Sequence, residues 1–88
     1  MKPLEDLRKE IDNLDQELLQ ILAKRMETVK MIGSLKDAKG FPVLDEKRRE
    51  ELLRSIVEKA KSMNLGREFV EKVFNTIHDH AVDLQNKI

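Results

Sequence analysis

The chain has no cysteine and no tryptophan or tyrosine among its 88 residues, and only three phenylalanines, three glycines and two prolines. Without cysteine, no disulfide or thiolate metal site can support the fold. Stability must therefore come from packing, and a domain this small buries only about 60% of its unfolded surface. β-Branched and aromatic residues are sparse. No stretch alternates apolar and polar residues with period two, the pattern a half-buried strand requires. Charge of one sign is missing too: 17 basic residues balance 17 acidic ones. That excludes the basic excess of a nucleic-acid footprint and a polybasic membrane anchor. No apolar run approaches the roughly 20 residues of a membrane span. The opening Met1-Lys2-Pro3-Leu4-Glu5 turns amphipathic and acidic at once, so no signal peptide is expected. There is no glycine-rich phosphate loop, no nucleophile–base pair and no pair of carboxylates on an obvious cleft. His78 and His80 lack metal-ligand spacing and read as ordinary surface or rim residues, so neither metal nor cofactor is expected. What remains is a soluble protein, expected in the cytoplasm and forming a single domain over residues 1–88.

What is present is helical. Charged residues make up 39% of the chain, and the apolar ones fall at helical spacing. Helix 1 is expected from about Pro3, a residue suited to a first turn, to Asp37. Its seam runs through Leu4, Leu7, Ile11, Leu14, Leu18 and Ile21, then resumes at Ile32 and Leu35. Leu19, Leu22, Met26 and Val29 widen it. At about 1.5 Å per residue this helix is about 50 Å long, more than globular helices usually reach, and it points to a coiled coil or an intertwined dimer. Gly40 and Pro42 mark a loop. Asp45 is an N-cap for helix 2, expected to run to about Met63 with Leu52, Leu53, Ile56, Val57, Ala60 and Met63 inward. Asn64-Leu65-Gly66 is a stop and short link. Helix 3 is expected over Arg67–Lys87, with Phe69, Val70, Val73, Phe74, Ile77, Ala81, Leu84 and Ile88 inward.

Function is best sought where this pattern breaks. Arg25 stands at a seam position between apolar neighbours. A buried guanidinium needs a partner, so Arg25 is a structural salt bridge, a side chain reaching to the rim, or a ligand site. Lys36 lies eleven residues further on, which is three turns with only about 20° of drift. Arg25, Val29, Ile32 and Lys36 therefore share a face, and two cations about 16 Å apart would suit a ligand with negative groups at both ends. Arg8 is about 25 Å before Arg25 and about 100° around the helix. It can reach the same small ligand only from an antiparallel second chain; taken alone it is a surface arginine. Gln85 continues the helix 3 stripe as an amide that is either half in water or facing the core, where it needs partners. Asp45 and Arg48 share a face at the start of helix 2.

The order and spacing of these residues resemble the all-helical, AroQ-type chorismate mutases. Leu7-Arg8-Lys9-Glu10-Ile11-Asp12, Asp15, Leu22-Ala23-Lys24-Arg25-Met26 and Ile32-Gly33-Ser34-Leu35-Lys36 are similar to that family's first helix. Pro42-Val43-Leu44-Asp45 with Arg48 resembles the start of its second, and Phe74, Ile77 and Gln85 resemble its third. The resemblance implies an all-α fold of three helices intertwined with those of a second copy, two active sites per homodimer, and chorismate as a dianionic substrate. It further implies that Arg8 reaches into the partner's site to bind one carboxylate and that Arg25 binds the other. By the same resemblance Lys36 meets a carboxylate and the ether oxygen, Gln85 donates to that ether oxygen, and Asp45 and Arg48 shape the hydroxyl end. Two substrate-binding positions depart from the pattern: Arg49 stands where the family commonly has a glutamate, and Ala81 where a small hydroxyl residue often stands.

Chorismate to prephenate is a concerted rearrangement needing no nucleophile, metal or obligatory proton transfer, and the sequence has no clear candidate for those roles. The departures at Arg49 and Ala81 leave an isochorismate pyruvate lyase of the same fold as the alternative activity; the Asp45/Arg48 pair favours the mutase. A non-catalytic helical dimerisation module explains the seam but not Arg25 and Lys36 on one face. Modules of this family also occur fused to further enzymes of aromatic amino acid biosynthesis, so the chain is expected either alone or within a larger enzyme.

Overall fold

A computed structural model describes residues 2–87. It contains three helices, α1 (Leu4–Lys39), α2 (Glu46–Lys61) and α3 (Arg67–Asn86), and among the described residues no strand. α1 begins one residue later than expected, with Pro3 in the cap position, its carbonyl accepting from the amides of Asp6 and Leu7. It ends two residues later, where Gly40 adopts φ 71°. In that left-handed turn the Phe41 amide donates to the Lys36 carbonyl at 2.8 Å, and a glycine carries no Cβ penalty there. Asp45 caps α2 as expected, its Oδ1 accepting from the Arg48 amide at 3.0 Å. α2 stops at Lys61 rather than Met63. Asn64, at φ 57°, makes the left-handed turn, and the Leu65 amide closes onto the Ala60 carbonyl at 3.1 Å.

α3 is the central element: it packs against both α1 and α2, which do not pack on each other. Among the described residues the buried ones are small or medium, namely Val29, Gly33, Ala60, Val70, His78 and Ala81, and no large side chain is fully enclosed. Leu52, Leu53, Ile56, Val57, Phe74, Ile77 and Leu84 are half-buried, as their stripes predict. Met63, Phe69 and Val73 are exposed instead of inward. Met63 falls beyond the end of α2, and the α3 stripe is wider than its two neighbours cover. Ile88 lies outside the described residues.

The largest departure from a closed core is the first half of α1. Leu4, Leu7, Ile11, Leu14, Leu18 and Ile21 are between 43% and 62% exposed. The molecule measures 56 × 24 × 15 Å, with a radius of gyration of 16.3 Å, against about 12 Å for a compact chain of this length. Its accessible surface is 7368 Å², about 2,000 Å² more than a compact monomer of this mass exposes.

Candidate functional site

One pocket gathers most of the residues that break the helical pattern. α1 contributes Lys36, the loop contributes Val43 and Leu44, and Asp45 closes that end. α2 contributes Arg48, Arg49 and Leu52, and α3 contributes His78, Ala81, Val82 and Gln85. Local structure sets this up. Lys36 lies in the last turn of α1, where the Gly40 turn folds the loop back, and its Nζ donates to the Val43 carbonyl at 2.8 Å. An ammonium has three protons to donate, so two remain for a ligand. Asp45 holds the Arg48 amide, which places Arg48 in the first turn of α2 facing the same pocket.

Arg25 does not line the pocket, but its charge acts on His78, which does. Its guanidinium is half in the interior, and Nη1 is buried with no hydrogen-bond partner. Gln85 repeats the situation at the other end: it is half-buried, and its Oε1 is buried without a partner. Buried polar atoms are ordinarily paired. Among the described residues three side-chain atoms are not, on Arg25, His78 and Gln85. Two of the three line this pocket, and the third belongs to a charge that His78 senses.

Arg49 shares the pocket wall, yet its Nη2 is engaged elsewhere. It donates to Asp79 Oδ1 at 2.9 Å and to Asn75 Oδ1 at 3.2 Å, tying α2 to α3. Arg49 is therefore a cross-helix tie as well as a site residue. Its side chain is 25% exposed and Asp79's is 70% exposed. Ala81 is buried and supplies only a methyl group. Arg8 is exposed on α1 and takes no part in the pocket of its own chain, as its distance along the helix requires.

His78 is a correction to the sequence reading. It is not a rim residue but only 8% exposed, and its Nε2 has no partner. Its imidazole is tilted against Phe74, with ring centroids 6.4 Å apart. Burial pushes its pKa below the ordinary value. The positive charges of Arg25, Arg49 and Arg48 push the same way, and Asp79 opposes them. The net effect favours the neutral imidazole. Seven-residue spacing to Gln85 puts both on one face of α3, a signal that was present in the sequence. His80 is exposed, as expected.

The balance of charge is positive. Of the acids nearby, Asp45 caps α2 and Asp79 pairs with Arg49. Lys36, Arg25 and Arg48 have no carboxylate within ion-pair distance among the described residues. A roomier groove between α2 and α3 is balanced in charge: Arg54, Lys61 and Arg67 line it with Glu50, Glu58 and Glu71, and Arg67 pairs with Glu71 at 2.7 Å and Lys61 with Glu58 at 3.3 Å. The Lys36 pocket sets three basic side chains, Lys36, Arg48 and Arg49, against the one carboxylate of Asp45 and so suits an anion, and no group of histidines and acids that could hold a metal occurs among the described residues.

The chain is similar to known proteins over nearly all its length. It is 37% identical over 73 residues to the T-protein of Haemophilus influenzae, covering 83% of this chain and 19% of that protein. It is 26% identical over 87 residues to the chorismate mutase of Methanocaldococcus jannaschii, covering 99% of this chain and 88% of that protein. The solved structure of a conserved hypothetical protein from Pyrococcus furiosus matches with a TM-score of 0.72 and 35% identity, covering 93% of each chain. The chain spans about a fifth to a quarter of the first curated relatives it matches, some named bifunctional chorismate mutase/prephenate dehydratase. The family model described as chorismate mutase type II matches residues 7–86, and the chain belongs to that family.

Proposed function

We propose that the chain converts chorismate to prephenate, and that two copies of it form two shared sites. One observation carries the reading: His78 and Gln85, each with an unpartnered buried polar atom, line the pocket that also holds Lys36, and the unpartnered Arg25 guanidinium acts on His78. A family member with such a set has buried polar atoms, two nitrogens and an amide oxygen, placed for a ligand rather than for one another.

In this reading Arg25 binds one carboxylate, and Arg8 contributed by the second copy binds the other. Fixing both ends holds the dianion in the compact conformer from which it reacts. The ether C–O bond breaks as the new C–C bond forms, within one molecule and with no proton moved. Negative charge grows on the departing ether oxygen, and Lys36 and the Gln85 amide donate to it there. Asp45 and Arg48 shape the hydroxyl end, with Arg49 and Ala81 completing the wall.

The second copy is supported by the bare seam of α1 and by the surplus surface. About 2,000 Å² on each chain is of the size that obligate homodimer interfaces cover. The pairing also answers why Arg8 stands so far from its own chain's pocket. A cytoplasmic setting belongs to the same proposal; no helix among the described residues is long and apolar enough to cross a membrane. The lengths of the relatives support a role for this unit as a module within longer enzymes as well as alone.

The test is direct. Purified protein is mixed with chorismate, the loss of chorismate absorbance is followed, and the product is identified as prephenate. Turnover no faster than the uncatalysed reaction refutes the proposal. Faster release of salicylate and pyruvate from isochorismate would transfer the chain to the lyase reading. Inertness toward both, with a folded dimer, would leave a dimerisation module.

A further inference from the structure

We propose that His78 is a substrate-binding residue: its Nε2 donates a hydrogen bond to an oxygen of the bound dianion, giving α3 a polar contact at the wall where Ala81 supplies none. The inference rests on the proposed reaction and deepens it.

Three observations converge. His78 lines the pocket together with Lys36, Ala81 and Gln85. It is more than nine-tenths buried. Its Nε2 is buried with no partner in the chain, an arrangement that costs stability unless something completes it. On the helix, His78 lies one turn before Ala81 and two before Gln85, so the three face the pocket in a row. A buried histidine that served only to fill space would be matched by a carbonyl or hydroxyl, as buried polar groups generally are.

The charges around it suit this role. Arg25 faces His78 from α1, Arg48 and Arg49 from α2, and Asp79 from its own helix. Lys36 lines the same pocket. Burial and the three guanidinium groups favour the neutral imidazole, and a neutral imidazole still donates through one ring nitrogen. Arrival of a carboxylate offsets those positive charges and favours the protonated ring. Substrate binding should then be accompanied by partial proton uptake.

The experiment compares the wild type with His78→Leu and His78→Gln in the full chain. In His78→Leu we expect KM for chorismate to rise about ten- to a hundredfold, with a smaller change in kcat, as loss of a hydrogen bond to a charged group present in both ground and transition states would give. His78→Gln, which keeps a donor, should stay within about fivefold of wild type. The pH dependence of KM between pH 5 and 7 should flatten in His78→Leu. Thermal unfolding should show that variant to be at least as stable as wild type, because an unpaired buried polar atom has been removed. Unchanged KM in a folded His78→Leu overturns the assignment while leaving the mutase reading intact. A raised KM accompanied by loss of the dimer overturns it in favour of a structural role. Absence of turnover in the wild type itself overturns the underlying reading, and the assignment with it.

Discussion

Arg25→Met removes the guanidinium and leaves an unbranched apolar side chain at a seam position whose neighbours are apolar. Nη1 of Arg25 is buried with no partner, so the folded chain carries a desolvated donor that nothing in it repays. Leaving such a group unsatisfied costs about 1–3 kcal/mol. Replacing a buried charge by a well-packed apolar group is often neutral or stabilising by about 1–4 kcal/mol. Arg25 is only half-buried, so the lower end applies, about 1 kcal/mol. For a domain of this size that is a rise of about 4–8 °C in Tm at fixed protein concentration. Catalysis should move the other way. Truncating one partner of a buried charge pair with the ligand costs about 2–5 kcal/mol, which at about 1.4 kcal/mol per decade is about 30- to 4,000-fold in kcat/KM. Thermal unfolding and chorismate turnover on the same preparation provide both readings. A fall of about 3–5 kcal/mol in stability together with activity would mean that Arg25 sits in a structural ion pair, and the clamp would be refuted.

Gln85→Ala should lower kcat by about a hundredfold, as removal of one oxyanion-type donor does; a change under threefold would take Gln85 out of the mechanism. Arg8→Ala and Arg25→Ala chains, each inactive, should regain activity when mixed and refolded, because each heterodimer contains one site with neither substitution. Continued inactivity despite demonstrated subunit exchange would contradict the cross-chain role of Arg8. The folded pKa of His78 lies below its ordinary value of about 6.5, so as pH falls the unfolded chain takes up this proton first. The contribution of His78 to stability is therefore fully present above about pH 6.5 and is lost as pH falls through the lowered folded value. His78→Leu should flatten that part of the stability profile, measured by denaturation at pH 7 and pH 5, and an unchanged acid limb would show that His78 is not held neutral.

Much of the molecule was legible locally. The three helices follow from apolar spacing and punctuation, because helix hydrogen bonds and caps involve residues at most a few positions apart. Asp45 capping α2 and Gly40 closing α1 belong to this class. Arg25, Lys36 and Gln85 stood out because each interrupts an apolar face, and that interruption can be read without knowing what the face touches. The likeness to a family then assigned them roles.

The rest depended on which faces meet. His78 looked like a rim residue because an imidazole is compatible with water or with the interior, and only the packing of α3 against both neighbours buries it and surrounds it with arginines from α1 and α2. Arg49 read only as a departure from the family's glutamate, and its tie between helices emerged when α3 brought Asn75 and Asp79 to its Nη2 from 26 and 30 residues away. Met63, Phe69 and Val73 belong to correct stripes but lie at edges that no neighbour covers. Arg25 remains the sharpest case. Its sequence position determined that a charge would interrupt the α1 seam, because the helical period allows it nowhere else. Whether that charge would meet a carboxylate of its own chain was decided by tertiary packing, which buries Nη1 beside a pocket rich in cations and brings it no partner.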